Sequence, residues 1–369
     1  MHFRIDKQEF LNTILNVQRA IATSTNNAAL KGIYMQARTE KLYLRATDLE
    51  FEIECILPVY TIEEGETVLP ARYLVEMVRR FSPGEIDVKI DENDNKVILK
   101  SGKVNLLLYA YSALDFPQRK ELESANVWRI KENNLKEMIN QTAFAAAQDN
   151  IRPVFNGVSL HVKQNILVMV ATNSHRLAYC RGEIEAEGEQ KIIVPRKTLE
   201  EFARIYKDNN EEIVKIKTEG GQVSFTTEKV KLISRLIEAN FFDYQKVLPK
   251  TYKTRIRIDT QALLTALERA SVLSQDKVNS VHMHVFADRI QLAANTPEIG
   301  KVEEEIYTEV EGENNNNIAF NARYVIDVLR VTKSPEIYFD ITGSASPCTI
   351  KPVDNENIIH LIMPVTTRN

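Results

Sequence analysis

A chain of 369 residues that is 44% hydrophobic and 27% charged can bury a sizeable core, which excludes a tail or a fibre and predicts two or three folded domains. Its formal charge of -4 excludes a protein coated in basic side chains, so any binding of phosphate needs Lys and Arg gathered on one surface. The N-terminal MHFRIDKQEF carries charges where a leader needs an apolar run, no stretch reaches the roughly 18 apolar residues of a membrane span, and Cys55, Cys180 and Cys348 lack metal-ligand spacing; the expectation is a cytoplasmic protein with buried thiols, no metal and no cofactor.

In chain order, a short apolar lead-in at 3–5 runs into an amphipathic helix at about 7–21, with Phe10, Ile14, Leu15 and Val17 on one side. Alternating strands follow at about 31–37, 41–47 and 50–58, then the EEGE turn at 63–66. A second round begins with a strand at 68–69 and a helix at about 71–81. It closes with strands near 85–90, 96–100 and 104–110. Each round is one β-α-β-β-β unit.

The whole scheme then recurs. RIDKQEFLNTIL at 4–15 returns as RIKENNLKEMIN at 129–140 and RIDTQALLTALE at 257–268. LPARYLVEMVRR at 69–80 returns as VPRKTLEEFARI at 194–205 and FNARYVIDVLRV at 320–331. KGIYMQARTEKLYLRATD at 31–48 matches NGVSLHVKQNILVMVATN at 156–173, and NSVHMHVFADRIQLAANT at 279–296 fills the third place. Three markers in one order predict three domains, at 1–125, 126–252 and 253–369, each of two β-α-β-β-β units. Antiparallel sheets with helices on one face make an α+β architecture, and repetition of one module about an axis predicts a curved or closed assembly.

The second helix of each copy carries basic residues seven apart: Arg72 and Arg79, Lys197 and Arg204, Arg323 and Arg330. Seven residues is close to two turns, so each pair projects from one side. Leu74, Met77 and Phe81, or Leu199, Phe202 and Tyr206, or Val325 and Val328, point toward the core. Arg80, Arg196, Lys207 and Lys333 extend the stripe, while acids gather at 63–66, 91–94, 182–189 and 303–305. Solubility alone would not place cations at matched positions in three diverged copies. A basic lining with an acidic exterior suits sequence-independent contact with a polyanion.

These residues resemble the bacterial sliding clamp family, the β subunit of DNA polymerase III. The likeness spans the chain and is carried by ATDLE at 46–50, PAR at 70–72, FNG at 155–157, AT-x-x-HRLA at 171–178, VPRK at 194–197, SVLSQDK at 271–277, FNARYVIDVL at 320–329 and LIMPV at 361–365. The resemblance implies a three-domain DNA-clamp fold, two chains per ring, and helices lining a hole. Twelve axes at ~10 Å spacing enclose a circle ~38 Å across, and a helix radius of ~5 Å per side leaves room for a hydrated duplex. It implies a non-enzymatic processivity factor that encircles duplex DNA, with Arg72, Arg79, Gln148, Arg196, Lys197, Arg204, Arg323 and Arg330 toward the DNA. Implied partners are the replicative polymerase catalytic subunit, a clamp loader, repair polymerases and mismatch-repair proteins, with no membrane.

By the same resemblance, partner peptides enter an apolar pocket of Phe155, Thr172, Ser174, His175, Arg176, Leu177, Phe242, Val247, Leu361, Met363, Pro364 and Val365. Aliphatic and aromatic anchors supply burial, with Thr172 and Arg176 expected to orient the peptide at the rim. Ring closure implies a head-to-tail homodimer through Lys103, Leu106 and Leu108 of one chain and Val272, Leu273, Glu298, Glu303 and Glu304 of the other. The chain departs from the family at TSTNN, 23–27, where a basic residue is usual, and at Pro153 and Val154, where some clamps have DNA-touching aromatics. It also lacks an arginine directly after Val365.

Two rival readings have distinct signatures. An enzyme would show a motif such as GxxxxGK[ST], HExxH, GxSxG or GxGxxG, and none occurs; His175 beside Ser174 on an extended strand would point to the opposite face. A repeat scaffold for protein interactions without DNA would remain monomeric.

Overall fold

The computed structural model describes all residues except 92–94, 120, 124–125, 149–150, 207–211, 275–278, 298, 315 and 366–369. The expectations for Lys207, Glu298 and parts of the 91–94 and 271–277 segments therefore lie outside the described residues.

The first copy runs β1 (His2–Asp6), α1 (Lys7–Val17), β2 (Gly32–Arg38), β3 (Lys41–Thr47), β4 (Phe51–Pro58), β5 (Tyr60–Glu63), β6 (Gly65–Pro70), α2 (Ala71–Arg80), β7 (Glu85–Asp91), β8 (Lys96–Ser101) and β9 (Val104–Tyr109). Asp6 starts α1 by accepting from the Gln8 and Glu9 amides at 2.8 and 3.0 Å. The helix is shorter than the predicted 7–21, because 18–20 tighten into a 3-10 turn. The separate β5 was not legible in the sequence.

The second copy gives β10 (Val127–Lys131), α3 (Glu132–Thr142), β11 (Gly157–Lys163), β12 (Ile166–Thr172), β13 (Arg176–Glu183), β14 (Gln190–Pro195), α4 (Arg196–Ile205), β15 (Ile213–Glu219), β16 (Gln222–Thr226) and β17 (Val230–Arg235). The third gives β18 (Thr254–Asp259), α5 (Thr260–Val272), β19 (Ser280–Val285), β20 (Arg289–Thr296), β21 (Gly300–Tyr307), β22 (Glu309–Gly312), β23 (Asn317–Asn321), α6 (Ala322–Val331), β24 (Glu336–Ile341), β25 (Cys348–Pro352) and β26 (Ile358–Ile362). Glycine recurs where the strand after the first helix meets its neighbour. A Cβ at Gly32 would lie 2.5 Å from Val68 Cγ1, and one at Gly157 would lie 2.6 Å from Ile193 Cγ2.

Two compact units divide the chain: residues 1–133 with 201–236, and residues 134–200 with 237–369. The cut falls inside the second copy because its last strand leaves to join a neighbour's sheet. In the first unit β17 pairs antiparallel with β4, Val230 opposite Cys55, making an eight-stranded sheet in the order β10-β15-β16-β17-β4-β3-β2-β6. A five-stranded sheet, β5-β1-β7-β8-β9, completes that unit. In the second unit β26 pairs with β13, Tyr179 opposite Ile359, within a nine-stranded sheet β14-β11-β12-β13-β26-β25-β24-β18-β22. The remaining sheet there is β21-β20-β19-β23.

Alternation fills the cores. On α2 the buried side is Ala71, Leu74, Val75 and Val78, with Met77 only half-buried, a shift of about one position from the expected set. In the second unit α5 and α6 pack Leu263, Leu267, Val325 and Leu329 against Ile256, Met283, Leu292, Phe320 and Phe339. All three cysteines are free and buried, and burial pushes each thiol up to about 12, so they behave as small apolar side chains. Among the described residues no helix is long and apolar enough to cross a membrane.

Candidate nucleic-acid interface, peptide groove and sheet edges

The three second helices present their basic pairs as the spacing requires: Arg72, Arg79, Lys197, Arg204, Arg323 and Arg330 are all exposed. The second member of each pair meets an acid. Arg79 lies 3.3 Å from Glu76, Arg204 is 2.7 Å from Glu201, and Arg330 is 2.8 Å from Glu268. Arg72 and Arg323 have no ion pair among the described residues. Exposed pairs of this kind contribute little to stability, but they reduce the charge offered to a polyanion. Arg196 is less available than its position suggests. It is half-buried, with Nε 2.7 Å from Glu200 Oε1 and Nη1 donating to Ala146 O at 3.2 Å. Gln148, its amide turned so that the oxygen accepts, takes both Arg196 Nη groups at 2.8 and 3.0 Å. In the 23–27 loop Asn27 caps a 3-10 turn and donates to Asp115 O at 3.0 Å.

The residues assigned to a peptide pocket lie in the second unit, and strand pairing explains their meeting. Leu177 on β13 is opposite Leu361 on β26, and both join Val170 in a buried cluster against which Val168, Tyr179, Phe241, Phe242, Tyr244 and Leu248 pack. Phe155 meets Phe242 edge to face at 6.1 Å. Val247 and Met363 remain 42% and 36% exposed and stand outside that buried cluster. The Met363 amide donates to His175 O at 2.9 Å and the Val365 amide to Ala319 O at 2.7 Å, so residues 363–365 run from the loop before β13 to β23.

Thr172 and Arg176 are not at the rim. Thr172 is buried and its hydroxyl donates to Arg176 O at 2.6 Å. Asn173 Oδ1 accepts from the His175 and Arg176 amides, and Ser174 takes a left-handed φ of 76°. The buried Arg176 guanidinium donates to Asp327 at 2.6 Å and Phe144 O at 2.6 Å, between the Phe144 and Tyr324 rings. Both terminal nitrogens are thus paired, while the buried Nε has no hydrogen-bond partner, and the ion pair with Asp327 fixes Arg176 beneath the 173–176 loop. Phe241, Tyr179, Tyr244 and Leu248 were missed. A signal existed for the strand surface: β12 reads ILVMVAT, apolar on both faces, where the matching β3 alternates as KLYLRAT.

Below the groove His360 is fully buried; its Nε2 is 3.2 Å from Gln141 Oε1 and its Nδ1 has no partner. Burial first, and the Arg176 charge second, push its pKa down to about 3 from 6.5. The unfolded chain takes up this proton near pH 6.5 and the folded chain does not. The associated stability is therefore complete above pH 6.5 and is lost as pH falls toward 3. Urea unfolding should show a midpoint that drops from pH 7 to pH 5, by up to roughly 1.4 kcal/mol per pH unit. A His360→Gln chain should lack that component; an identical pH slope in both would refute the assignment.

Edge strands of two of the four sheets, with the segment after α5, carry the residues expected at a dimer contact. β9 is the edge of the five-stranded sheet. Leu106 and Leu108 are half-buried beside Leu99 and Val97, while Val104, Leu107 and Tyr109 are more exposed, 46%, 47% and 68%. β21 is the edge of the four-stranded sheet, with Tyr307 73% exposed, and Val272 nearby in sequence to Leu273 is 65% exposed. Glu304 is spent within the chain. Its hydrogen bonds to Arg269 hold its carboxyl below the usual range. Glu303 pairs with Lys301 at 3.4 Å, whereas Lys103 is exposed.

Repeated β-α-β-β-β units joined sheet to sheet, three helices each with two exposed cations seven residues apart, and an apolar cluster across β13 and β26 define a protein of the DNA-clamp fold. Comparison with known proteins agrees. The chain matches the family models of the DNA polymerase III beta subunit: N-terminal domain at 1–120, central domain at 129–243 and C-terminal domain at 245–366. It is similar to the beta sliding clamp of Bacillus subtilis, 32% identical over 380 residues with both chains fully covered. The beta sliding clamp of Halalkalibacterium halodurans is 33% identical over 382 residues, again with full coverage of both. A crystal structure of the DNA polymerase sliding clamp from Bacillus subtilis superposes over the full length of both chains with a TM-score of 0.94 at 31% identity. The chain belongs to the DNA polymerase III beta subunit family, the bacterial sliding clamps, and has their three-domain fold of helices and antiparallel sheets.

Proposed function

We propose that the chain is a DNA polymerase processivity factor: two copies close head to tail into a ring that surrounds duplex DNA and slides along it. The observation that carries this is the pattern of sheet edges. The last strand of the second copy, β17, pairs with β4 of the first, and the last strand of the third, β26, pairs with β13 of the second. By the same rule β9 of the first copy calls for β21 of a third, and among the described residues both are edges without a neighbour on that side. Pairing β9 of one chain with β21 of another satisfies two open edges at once, and reciprocally, which closes the assembly. The proposed domain limits are 1–125, 126–252 and 253–369.

On this reading Arg72, Arg79, Lys197, Arg204, Arg323 and Arg330 face the duplex and make exchangeable phosphate contacts, with Arg196 and Gln148 as a fixed pair beside them. The groove around Leu177, Phe242, Leu361 and Met363 takes apolar peptide segments of the polymerase catalytic subunit, the clamp loader, repair polymerases and mismatch-repair proteins. The chain itself holds the DNA without catalysis, in the cytoplasm, and another protein supplies the energy of loading.

Retention on circular against linearised DNA after loading tests the proposal. A surrounding ring stays on the circle and runs off free ends, and equal retention on both would contradict it. Replacing Arg72 and Arg323 with Gln should lower the salt slope of direct DNA binding by about one per arginine, without sequence preference. An unchanged slope would place both side chains away from the duplex.

A further inference from the structure

The internal repeat sets a place in the first unit against the peptide groove of the second. Tyr34 is opposite Arg45 and Arg45 opposite Glu54, as Ser159 is opposite Val170 and Val170 opposite Tyr179. One strand further, Glu54 faces Lys231 where Tyr179 faces Ile359. The covering segment matches too: Phe116 stacks on Tyr34 at 5.1 Å, in the part of the chain that corresponds to Phe241 and Phe242. Val170, Tyr179 and Ile359 are thus matched here by Arg45, Glu54 and Lys231, and a cavity of about 610 Å³ opens among Arg38, Lys41, Tyr43, Arg45, Arg119 and Glu54.

The floor of this cavity is charge-balanced. Arg119 lies 2.8 Å from Glu52, 3.2 Å from Glu54 and 2.8 Å from Glu121; Lys231 also bonds Glu121. Arg45 donates Nη2 to Pro117 O at 3.1 Å, and its guanidinium sits over the Tyr34 and Phe116 rings. Its buried Nε, 3.4 Å from Glu52 Oε1, makes no hydrogen bond. The rim is different. Arg38 and Lys41, at the two ends of the β2–β3 turn, are exposed and have no hydrogen bond or ion pair from their side chains among the described residues. Beside them Glu64 accepts from the Thr39 amide at 2.9 Å, and Glu66 accepts from Tyr34 and Gln36 at 2.5 and 3.3 Å.

We infer that this cavity binds a compact multivalent oxyanion of the phosphate class, held across Arg38 and Lys41 with Arg45 behind them. The floor's carboxylates are occupied by Arg119, Arg45 and Lys231, and of the four cations lining the cavity Arg38 and Lys41 are the two with no hydrogen bond or ion pair from their side chains among the described residues. A phosphate oxygen accepts from both a guanidinium fork and an ammonium. An apolar peptide would leave these charges desolvated and unpaired, so equivalent places in the repeat select unlike ligands.

Isothermal titration of the full-length protein with inorganic pyrophosphate, in magnesium-free buffer of low ionic strength, tests this. The expected result is saturable binding at one site per chain, weakened at least tenfold in an Arg38→Gln/Lys41→Gln chain whose melting temperature is unchanged. A Lys89→Gln/Lys100→Gln chain, which removes two exposed cations of the five-stranded sheet, should bind like the parent. A nucleoside triphosphate in a second titration separates sources of the same chemistry: tighter binding than pyrophosphate assigns the site to nucleotides, and equal binding assigns it to the free oxyanion. Absence of saturable heat, or binding lost in the Lys89→Gln/Lys100→Gln variant and kept in the rim variant, would overturn the inference.

Discussion

Changing Leu106 and Leu108 to serine is expected to convert the protein from dimer to monomer and to abolish its retention on circular DNA. Both side chains lie on the core-facing side of β9, next to Leu99 and Val97, yet stay half-buried because no strand lies beyond them. A partner's β21 would supply that missing neighbour, and central apolar anchors at an interface are worth about 2 kcal/mol or more each. Losing two weakens association roughly a thousandfold. Light scattering across a dilution series reads the mass. Because β9 is an edge, the domain should still fold, and circular dichroism should show the parent's melting curve within a few degrees. A folded double variant that remains dimeric would place the interface elsewhere.

Placing carboxylates at the groove mouth, Val247→Asp with Met363→Asp, should weaken binding of an apolar partner peptide by about a hundredfold or more, near 3 kcal/mol. Both positions are exposed enough to accept the charge without unfolding, while the floor of Val170, Leu177 and Leu361 stays intact. A peptide whose leucine or phenylalanine seats on that floor would have to bring its apolar side chain past unpaired charges. Fluorescence anisotropy with a labelled leucine- and phenylalanine-containing peptide reads the affinity. Direct DNA binding at low salt, which needs no loader, should be unchanged, since neither substitution touches α2, α4 or α6. Parent-like peptide affinity in the double variant would remove the groove from the proposal.

Much of this was legible in the chain because it is local. Most helices and strands of the first copy follow from apolar spacing, though not the end of α1 or the separate β5, and the seven-residue interval places Arg72 with Arg79 on an exposed side wherever α2 lies. Repetition at a spacing of about 125 residues multiplies each such signal by three. The apolar anchors of the groove were legible through resemblance, but their neighbours Tyr179 and Phe241 were not. In strand β13 Tyr179 alternates with buried Ala178 and Cys180 and so reads as an outward, solvated residue.

The sequence by itself determined the elements, the threefold repeat, and which helix surfaces carry cations, since each depends on neighbours within a few turns. Only the tertiary structure decided that β17 joins β4 and β26 joins β13, that Arg176 is spent beneath the groove on Asp327, and that Glu304 is spent on Arg269. Sheet joining and burial of charge are settled by partners more than a hundred residues away in several of these cases, where no periodicity reaches, and by the cost of leaving an edge or a guanidinium without a partner.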